Sequence, residues 1–385
     1  MPKYYDVNIV SVSASTECRM PVNEQITLYH CIRKFGIKEK LEAVIKIIIS
    51  KCGRDEIRKI LKTRNQVLGR LYDTIAYYES AEQLRKFAKK HHLLEDDVII
   101  YSYWFHVNCM AFLMDRKKYP KMKVISRIHG YDLYNERNPY NRQPFREYMD
   151  EQVDRIFFVA DAGLKYYLKH WGKTIDVGKK YLVAPIGTVN RNAVGEFKTD
   201  RIRDYMHIVS CANVIPLKRI DLIIKALAMI DDITIKWTHF GIGDAFVQIQ
   251  QQACELLSGK SNISYKFEGY VPIEDIMQFY EDECVDCFIT TSSTEGCPVS
   301  IQEAMSFGVP IIATAVGEIP NMIQGNGVLL SENPFPEEVM DAIYRLNSST
   351  IEEICEMRKC SRQLWECKYD ALKNTADFIN ELRKL

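Results

Sequence analysis

Residues 294–310 read TEGCPVSIQEAMSFGVP and follow the apolar run Val285–Thr290, which is typical of a buried strand. Pro298 suits the first position of a helix, and Gly308 suits its C-terminal end. We therefore expect a helix that begins directly after the turn containing Gly296. The free backbone N–H groups at such a helix start attract anions, phosphates above all. The segment predicts a phosphate-binding strand–turn–helix unit.

Two glutamates flank this predicted anion site. Glu295 precedes the helix and Glu303 lies in its second turn, so both can face the same ligand. Carboxylates accept hydrogen bonds from hydroxyl groups, which a sugar and a ribose both present in pairs. Alternatively, Glu303 is a solvated helix residue and Glu295 a capping or loop residue, because two glutamates at this spacing are common by chance. The whole segment, between two apolar runs, favours a binding function.

Short apolar runs alternate with amphipathic stretches through most of the chain. Continuous apolar runs are typical of parallel strands covered on both faces, and the alternation predicts an α/β architecture. The predicted strands are Asp6–Val12, Asp97–Trp104, Lys123–Ile128, Arg155–Ala160, Tyr181–Ile186, His207–Val214, Ile233–Phe240, Ile263–Glu268, Val285–Thr290, Val309–Thr314 and Gly327–Leu330. The predicted helices between them include Ser80–His91, Asp221–Ile230, Asp244–Ser258 and Pro272–Glu281.

A chain of 385 residues is longer than one hydrophobic core usually serves, so we expect two domains. The polar stretch Asn190–Asp204 is the predicted linker between an N-terminal domain, 1–195, and a C-terminal domain, 205–360. Residues 361–385 are expected to form a helix that packs back toward the N-terminal domain. Parallel sheets bind ligands beyond the carboxyl ends of their strands, so we expect the ligand site in the loops that follow the predicted strands.

Composition excludes several classes of protein. The chain is 47% hydrophobic and 26% charged, with 51 basic and 51 acidic residues, so it has no general attraction to nucleic acid. No apolar run approaches the ~20 residues of a membrane span, and the N-terminus lacks a secretory pattern. We therefore predict a cytoplasmic protein.

Residues 33–70 depart from this neutral balance. They contain twelve Lys or Arg and four Asp or Glu, interleaved with apolar residues. This pattern is compatible with peripheral contact to the anionic inner face of the cell membrane, or with an ordinary solvated helical face. The sequence leaves both interpretations open.

The twelve cysteines are scattered and predict no disulfide framework. Cys284 and Cys287 form the only CxxC, and no second pair completes the four ligands of a structural zinc site. No Asp-x-Asp motif accompanies the predicted phosphate site. We therefore expect no metal.

Four further segments accompany residues 294–310. They read YSYW (101–104), SRIHGYDLY (126–134), SCANVIPLKRID (210–221) and GIGD (241–244). Together the five segments resemble the signature of family-4 retaining glycosyltransferases of the GT-B fold, and they are most similar to bacterial surface-polysaccharide enzymes. The resemblance covers the C-terminal half and extends back to about Asp97, which is more than two-thirds of the chain.

The resemblance implies two Rossmann-like parallel-sheet domains that face each other across a cleft. It implies a retaining, metal-independent glycosyltransferase without a cofactor. The enzyme would move a sugar from a nucleoside-diphosphate sugar to a hydroxyl of a lipid-linked glycan acceptor in surface-polysaccharide biosynthesis. A GT-B nucleotide-sugar epimerase, a phosphorylase and a non-catalytic nucleotide-sugar-binding protein are the alternatives.

The resemblance also assigns roles to residues. Glu303 would hold the ribose hydroxyls, Glu295 would touch the transferred sugar, and Lys218 would neutralise the donor diphosphate. The family often has an arginine where this chain has Asn213, and Arg219 could replace it. The remaining predicted donor-binding residues are Gly241 and Gly243, at a close-approach turn, and Gly296, Cys297, Pro298 and Val299, beside the sugar.

His129 ends a predicted strand and precedes Gly130, where a side chain projects into the site. The resemblance implies that His129 contacts the donor sugar, its phosphate or the acceptor. Asp132 either orients His129 or caps the following turn. His106 either lines the acceptor side or packs in the core.

The start of the chain departs from the family pattern. The family begins with a strand, a glycine-rich turn and a helix, whereas this chain enters at Asp6–Val12 and has its first glycine at Gly36. The acceptor side is therefore expected to be shortened or built differently.

Overall fold

The computed structural model describes residues 6–13, 24–33, 36–190 and 204–385. The described residues form β-strands and α-helices in near-regular alternation. The strands are β1 Asn8–Ser13, β2 Thr27–Ile32, β3 Ile99–Ser102, β4 Lys123–Ile128, β5 Arg155–Phe158, β6 Tyr181–Val183, β7 Met206–Cys211, β8 Ile235–Phe240, β9 Ile263–Gly269, β10 Cys287–Thr290, β11 Ile311–Thr314 and β12 Gly327–Leu330. The helices are α1 Ile37–Ile49, α2 Lys51–Thr63, α3 Val67–Lys90, α4 Val107–Leu113, α5 Arg146–Gln152, α6 Asp161–His170, α7 Ile220–Ala228, α8 Phe246–Leu257, α9 Ile273–Asp282, α10 Val299–Ser306, α11 Ile319–Met322, α12 Pro336–Ser348, α13 Ile351–Lys368 and α14 Ala371–Leu382.

The chain divides into two compact units. Unit 1 comprises Met1–Ala184 and Ile379–Leu385, and unit 2 comprises Pro185–Phe378. Most of the predicted linker, residues 191–203, lies outside the described residues. The C-terminal end of α14 belongs to unit 1, where Arg155 of β5 donates a hydrogen bond of 2.8 Å from Nη1 to the carbonyl oxygen of Glu381.

Unit 1 contains two parallel sheets. One has the strand order β3-β4-β5-β6, and the other pairs β1 with β2. The sequence did not predict β2, because its side chains are mostly half-buried or exposed and give no continuous apolar run. β1 and β2 therefore begin unit 1 as a separate pair.

Unit 2 is built on a six-stranded parallel sheet with the order β12-β11-β10-β7-β8-β9. β7, β8 and β9 follow one another toward one edge of the sheet. β10, β11 and β12 follow one another toward the opposite edge. β7 and β10 are neighbours, so the order reverses between them. In doubly wound sheets the ligand binds at this switch point, beyond the carboxyl ends of the strands.

Every strand predicted from the sequence is present, although several are shorter. The predicted strand Asp97–Trp104 ends at Ser102, which leaves Tyr103 and Trp104 in the following loop. The predicted helix Ser80–His91 is the second half of the longer helix α3. The α/β architecture with parallel sheets is thus confirmed.

Candidate functional site

The loops that follow β7 and β10 are fastened to each other at the switch point of unit 2. The backbone N–H of Ser293 donates to the carbonyl oxygen of Leu217 over 2.8 Å. The Thr291 hydroxyl donates to the Arg219 carbonyl over 2.8 Å, and the Arg219 Nε donates to the Thr291 carbonyl over 2.6 Å. These reciprocal bonds fix the position of one loop against the other.

This arrangement brings Lys218 and Glu295 together. Lys218 ends the 3₁₀ turn Pro216–Lys218, and Arg219 adopts a left-handed conformation with φ of 47° before α7 begins. The Lys218 Nζ lies 2.5 Å from Oε1 of Glu295, and both side chains are largely buried. An anionic ligand can therefore attract the ammonium only by competing with the Glu295 carboxylate.

The Arg219 guanidinium donates hydrogen bonds to oxygen atoms of neighbouring loops. In addition to Thr291, it donates from Nη2 to the carbonyl oxygens of Ser292 and Glu332, over 3.0 and 2.9 Å, and from Nη1 to Oδ1 of Asn333 over 3.1 Å. These contacts tie together the loops after β7, β10 and β12. The structure therefore favours a loop-tethering role for Arg219 over replacement of the family arginine, while Asn213 is exposed.

The start of α10 leaves backbone donors available. Pro298 is the residue before the helix and Val299 begins it, one position later than the sequence predicted. Within the described part of the chain, the N–H groups of Gly296, Val299 and Ser300 donate to no acceptor. The predicted end at Gly308 is confirmed, since this residue has φ of 67°. The free N–H groups and the positive end of the helix dipole at the start of α10 can therefore attract an anion.

A third loop, after β11, supports the turn before α10. Gly317 has φ of 57°, and a Cβ there would lie 2.0 Å from the carbonyl oxygen of Glu295. The N–H of the next residue, Glu318, donates to the Gly296 carbonyl over 3.0 Å. Gly317 was not predicted from the sequence, although a glycine just after a buried strand is a signal of close backbone approach.

The glycines of GIGD make the predicted close approach to the end of β7. Gly241 has φ of 133°, and a Cβ there would lie 1.9 Å from the carbonyl oxygen of Ala212. A Cβ on Gly243 would lie 2.4 Å from the carbonyl oxygen of Val214. Only glycine allows these two loops to pack against each other.

Glu303 is a buried carboxyl group without a partner. Its residue is 8% exposed, and in the described part of the chain no donor or cation is bonded to its carboxylate. Burial raises the pKa of Glu303 to about 7. The charges of Glu303 and Lys218 both act on the Cys211 thiol, whose pKa is raised to about 12 mainly by burial. Buried polar groups are normally paired, so an unpaired carboxyl at a switch point is a candidate ligand contact.

Two further groups lie in this region. The hydroxyl of Tyr280 is buried and has no hydrogen-bond partner among the described residues, and burial raises its pKa. The Cys297 thiol accepts a hydrogen bond of 3.1 Å from Nε2 of Gln302, and burial raises its pKa to about 12. Both groups are therefore protonated near neutral pH. No local pattern in the sequence pointed to Tyr280.

The predicted histidine, His129, belongs to unit 1 and follows β4. Its ring packs against the rings of Tyr103 and Trp104, with centroid distances of 4.6 and 4.4 Å, and its Nε2 lies 2.9 Å from the Tyr103 carbonyl oxygen. Burial lowers the pKa of His129 to about 4. The imidazole is therefore neutral at pH 7 and donates from Nε2 to the carbonyl.

Asp132 caps backbone groups rather than orienting the imidazole. Its carboxylate accepts hydrogen bonds from the N–H groups of His129 and Phe105, over 2.8 and 2.6 Å. Of the two roles considered for Asp132, the structure supports the capping one. His106 packs edge-on against Tyr77 with a centroid distance of 4.7 Å, and burial lowers its pKa to about 4. His106 is thus mainly a packing residue.

Among the residues that the structure describes, no group of three or more His, Cys, Asp or Glu side chains could hold a metal ion. The CxxC residues Cys284 and Cys287 are not joined by a disulfide. No helix in the described ranges has the length and hydropathy needed to cross a bilayer.

Comparisons with known proteins agree with this fold. Residues 206–349 match the sequence profile of the family described as glycosyl transferases group 1. The chain is 27% identical over 219 residues to the amylovoran biosynthesis glycosyltransferase AmsK of Erwinia amylovora, which covers 53% of this chain and 50% of that protein. It is 25% identical over 252 residues to an uncharacterised glycosyltransferase of Methanocaldococcus jannaschii, MJ1178, covering 65% of each chain. The alignments thus span half to two-thirds of these relatives.

Solved structures show the same fold at low sequence identity. Anabaena HepE in complex with UDP has a TM-score of 0.64 and 15% identity, over 79% of this chain and 82% of HepE. The apo lipopolysaccharide outer core galactosyltransferase WaaB has a TM-score of 0.63 and 16% identity, over 94% and 85%. HepE has also been solved with UDP-glucose.

The chain therefore has the GT-B fold, with two Rossmann-like α/β units. Its unit 2 contains the segment that matches glycosyl transferases group 1.

Proposed function

We propose that this protein is a retaining, metal-independent glycosyltransferase that acts in surface-polysaccharide biosynthesis. It transfers a sugar from a nucleoside-diphosphate sugar to a hydroxyl of a lipid-linked glycan. The observation that carries the proposal is the unpaired, buried carboxyl of Glu303 on α10, which together with the ion pair of Lys218 and Glu295 lies at the switch point of unit 2.

The donor chemistry fits the groups at this position. A ribose presents two neighbouring hydroxyls, which can donate to the two oxygens of Glu303. The diphosphate takes the Lys218 ammonium from Glu295 and accepts hydrogen bonds from the amides at the start of α10. The released Glu295 carboxylate is then free to accept hydrogen bonds from hydroxyls of the transferred sugar.

The transfer step follows from this placement. The bond between the anomeric carbon and the phosphate oxygen breaks while the acceptor oxygen bonds to the same face of that carbon. The departing phosphate oxygen takes the acceptor proton. Negative charge grows on the phosphate during the step, so Lys218 and the α10 amides stabilise the transition state more than the bound donor.

The comparisons support the substrate class. HepE has been solved with UDP-glucose, and AmsK is described as an amylovoran biosynthesis glycosyltransferase. We carry over the nucleotide-sugar donor and a glycan acceptor as parts of the proposal. His129 stays a predicted contact of the donor sugar, its phosphate or the acceptor, and its neutral imidazole suits a hydroxyl partner better than a phosphate.

The proposal is tested in two stages. In the first stage, a thermal-shift screen with UDP-, GDP-, ADP- and dTDP-sugars identifies the donor. In the second stage, the protein is incubated with the best donor and with lipid-linked glycans in the presence of EDTA. We expect transfer with the anomeric configuration kept, as read by NMR of the product.

Each alternative gives a different result. Turnover of the donor without an acceptor indicates an epimerase, and dependence on inorganic phosphate indicates a phosphorylase. Donor binding without transfer to any acceptor, an inverted product or loss of activity in EDTA would each contradict the proposal.

A further inference from the structure

Helix α1 of unit 1 is apolar on two opposite faces. On one face Ala43 and Ile47 are buried in the core of unit 1. The opposite face carries a row of exposed apolar side chains along the whole helix, which we call the α1 stripe. Its members are Ile37, Leu41, Ile45, Ile48 and Ile49, with exposed fractions of 81%, 60%, 57%, 56% and 70%. Their spacing places them on one side of a helix, and such a face is normally covered.

Helix α2 follows directly after Ser50 and exposes basic side chains. These are Lys51, Arg54, Arg58 and Lys62, spaced three to four residues apart, and we call them the α2 basic face. Arg54 donates from Nη1 to the carbonyl oxygens of Ile48, over 3.2 Å, and Ile49. Its guanidinium therefore lies at the C-terminal end of the α1 stripe, so the apolar and basic surfaces adjoin.

The charge around the stripe is positive. Lys38 lies within the angular range of the α1 stripe and is exposed. Lys38, Lys51 and Lys62 form no ion pair with any described residue. Glu42, at the edge of the stripe, is neutralised by Lys86 at 2.6 Å, and Asp55 is neutralised by Arg58 at 2.8 Å. The surface thus combines apolar contact area with unpaired cations.

We propose that the α1 stripe and the α2 basic face together form a docking surface for an anionic lipid bilayer. A helix of 13 residues is about 20 Å long, too short to span the hydrocarbon core. It instead lies in the plane of the interface, with the stripe at the boundary between head groups and acyl chains and the cations at the level of the lipid phosphates.

Charge complementarity selects this occupant. Two copies of the chain joined through the stripe would bring two α2 basic faces close together, which like-charge repulsion opposes. An anionic bilayer instead neutralises the same cations, and each exposed Lys or Arg near such a surface adds to binding. The proposal does not depend on the enzymatic activity, since it concerns only the surface of unit 1.

Flotation of the full chain with lipid vesicles tests the docking surface. We expect binding to vesicles of phosphatidylcholine mixed with phosphatidylglycerol, weaker binding to phosphatidylcholine alone, and release as salt increases. The variant Leu41→Gln/Ile45→Gln/Ile48→Gln should bind anionic vesicles more than about tenfold more weakly. A matched control, Ile175→Gln/Ile351→Gln/Leu372→Gln, changes three exposed apolar residues elsewhere and should bind like the wild type.

A second pair of variants tests the charges. Lys38→Gln/Lys51→Gln/Lys62→Gln should weaken binding to anionic vesicles by about tenfold or more and leave weak binding to neutral vesicles unchanged. Lys117→Gln/Lys118→Gln/Lys121→Gln, a set of exposed lysines from another part of unit 1, should have little effect.

Several outcomes would overturn the proposal. Wild-type vesicle binding by the stripe variant would do so, as would equal effects of the two lysine sets. Light scattering that shows a dimer in the wild type and a monomer in the stripe variant would identify a second copy as the occupant. Donor binding, followed by thermal shift in every variant, separates failure of docking from failure of the proposed function.

Discussion

The carboxyl end of β10 in unit 2 and the carboxyl end of β4 in unit 1 are built in opposite ways. After β10 the loops are held by backbone bonds and close glycine contacts, and the Glu303 carboxyl and several amides are left unpaired. After β4 the Asp132 carboxylate and the His129 imidazole are both paired within unit 1, because Asp132 accepts from two N–H groups and His129 donates to the Tyr103 carbonyl. The β4 end exposes aromatic side chains, since Tyr103 is 48% exposed and Trp104 is 40% exposed.

This difference indicates two kinds of ligand. Unpaired charged and polar groups cost free energy unless a ligand bonds to them, so the β10 end is suited to a charged, hydroxyl-rich molecule. Exposed aromatic rings beside a neutral imidazole offer apolar faces and few charges, so the β4 end is suited to a neutral partner.

The largest expected effect concerns charge at the β10 end. Lys218→Ala should lower kcat by about a hundredfold to a thousandfold, with a much smaller effect on donor affinity, because the ammonium is needed most when the phosphate departs. Steady-state transfer kinetics with the identified donor measure this split. Lys225→Ala, which removes an exposed lysine paired with Asp221, is the control. Equal turnover of Lys218→Ala and wild type would remove Lys218 from the mechanism.

The next effect concerns donor binding. Glu303→Ala should raise the donor Kd by about a hundredfold, since two charge-assisted hydrogen bonds from the ribose are lost. Isothermal titration calorimetry measures the Kd, and Glu274→Ala, an exposed glutamate on α9, is the control. An unchanged Kd in Glu303→Ala would show that the unpaired carboxyl does not contact the donor.

The change of donor affinity with pH should be smaller than the effect of removing Glu303, and it should originate in the ionisation of this residue in unit 2. The pKa of Glu303 is raised to about 7, and ribose hydroxyls donate to its ionised form. Donor affinity should therefore rise about tenfold between about pH 6 and about pH 8. The donor diphosphate stays ionised over this range, so it adds no slope. Glu303→Gln should give a flat profile, and a slope that persists in this variant would assign the titration to another group.

The smallest effect is expected in unit 1. His129→Gln should lower kcat/KM by about tenfold without changing the shape of the pH profile, because an imidazole with a pKa of about 4 is already neutral. pH–rate profiles of the two proteins make the comparison. An inflection near pH 6.5 that disappears in His129→Gln would show that the histidine titrates in the working range and would break the contrast between the two ends.

Much of the fold was predictable because its signals are local. Continuous apolar runs predicted the strands of both main sheets, and Gly308 correctly predicted the end of α10. β2 was missed because a half-buried strand has no continuous apolar run. The start of α10 was placed one residue early, since Pro298 suits both the first helical position and the position before it.

The sequence singled out residues for the candidate site but did not indicate how they are arranged. The sequence singled out Lys218, Glu295 and Glu303, yet it gave no sign of the ion pair between the first two. It also offered Arg219 as a phosphate partner, whereas in the structure this guanidinium binds carbonyl oxygens of neighbouring loops. Such contacts join residues more than seventy positions apart, so no local pattern encodes them.

By itself, the sequence determined the alternation of strands and helices, the close-approach glycines and the basic composition of residues 33–70, because each depends on near neighbours in the chain. Only the tertiary structure decided which carboxyl is left unpaired and which face of α1 is exposed. Burial and partner choice are set by packing between distant segments, and that packing also sets the pKa of Glu303 and the neutral state of His129.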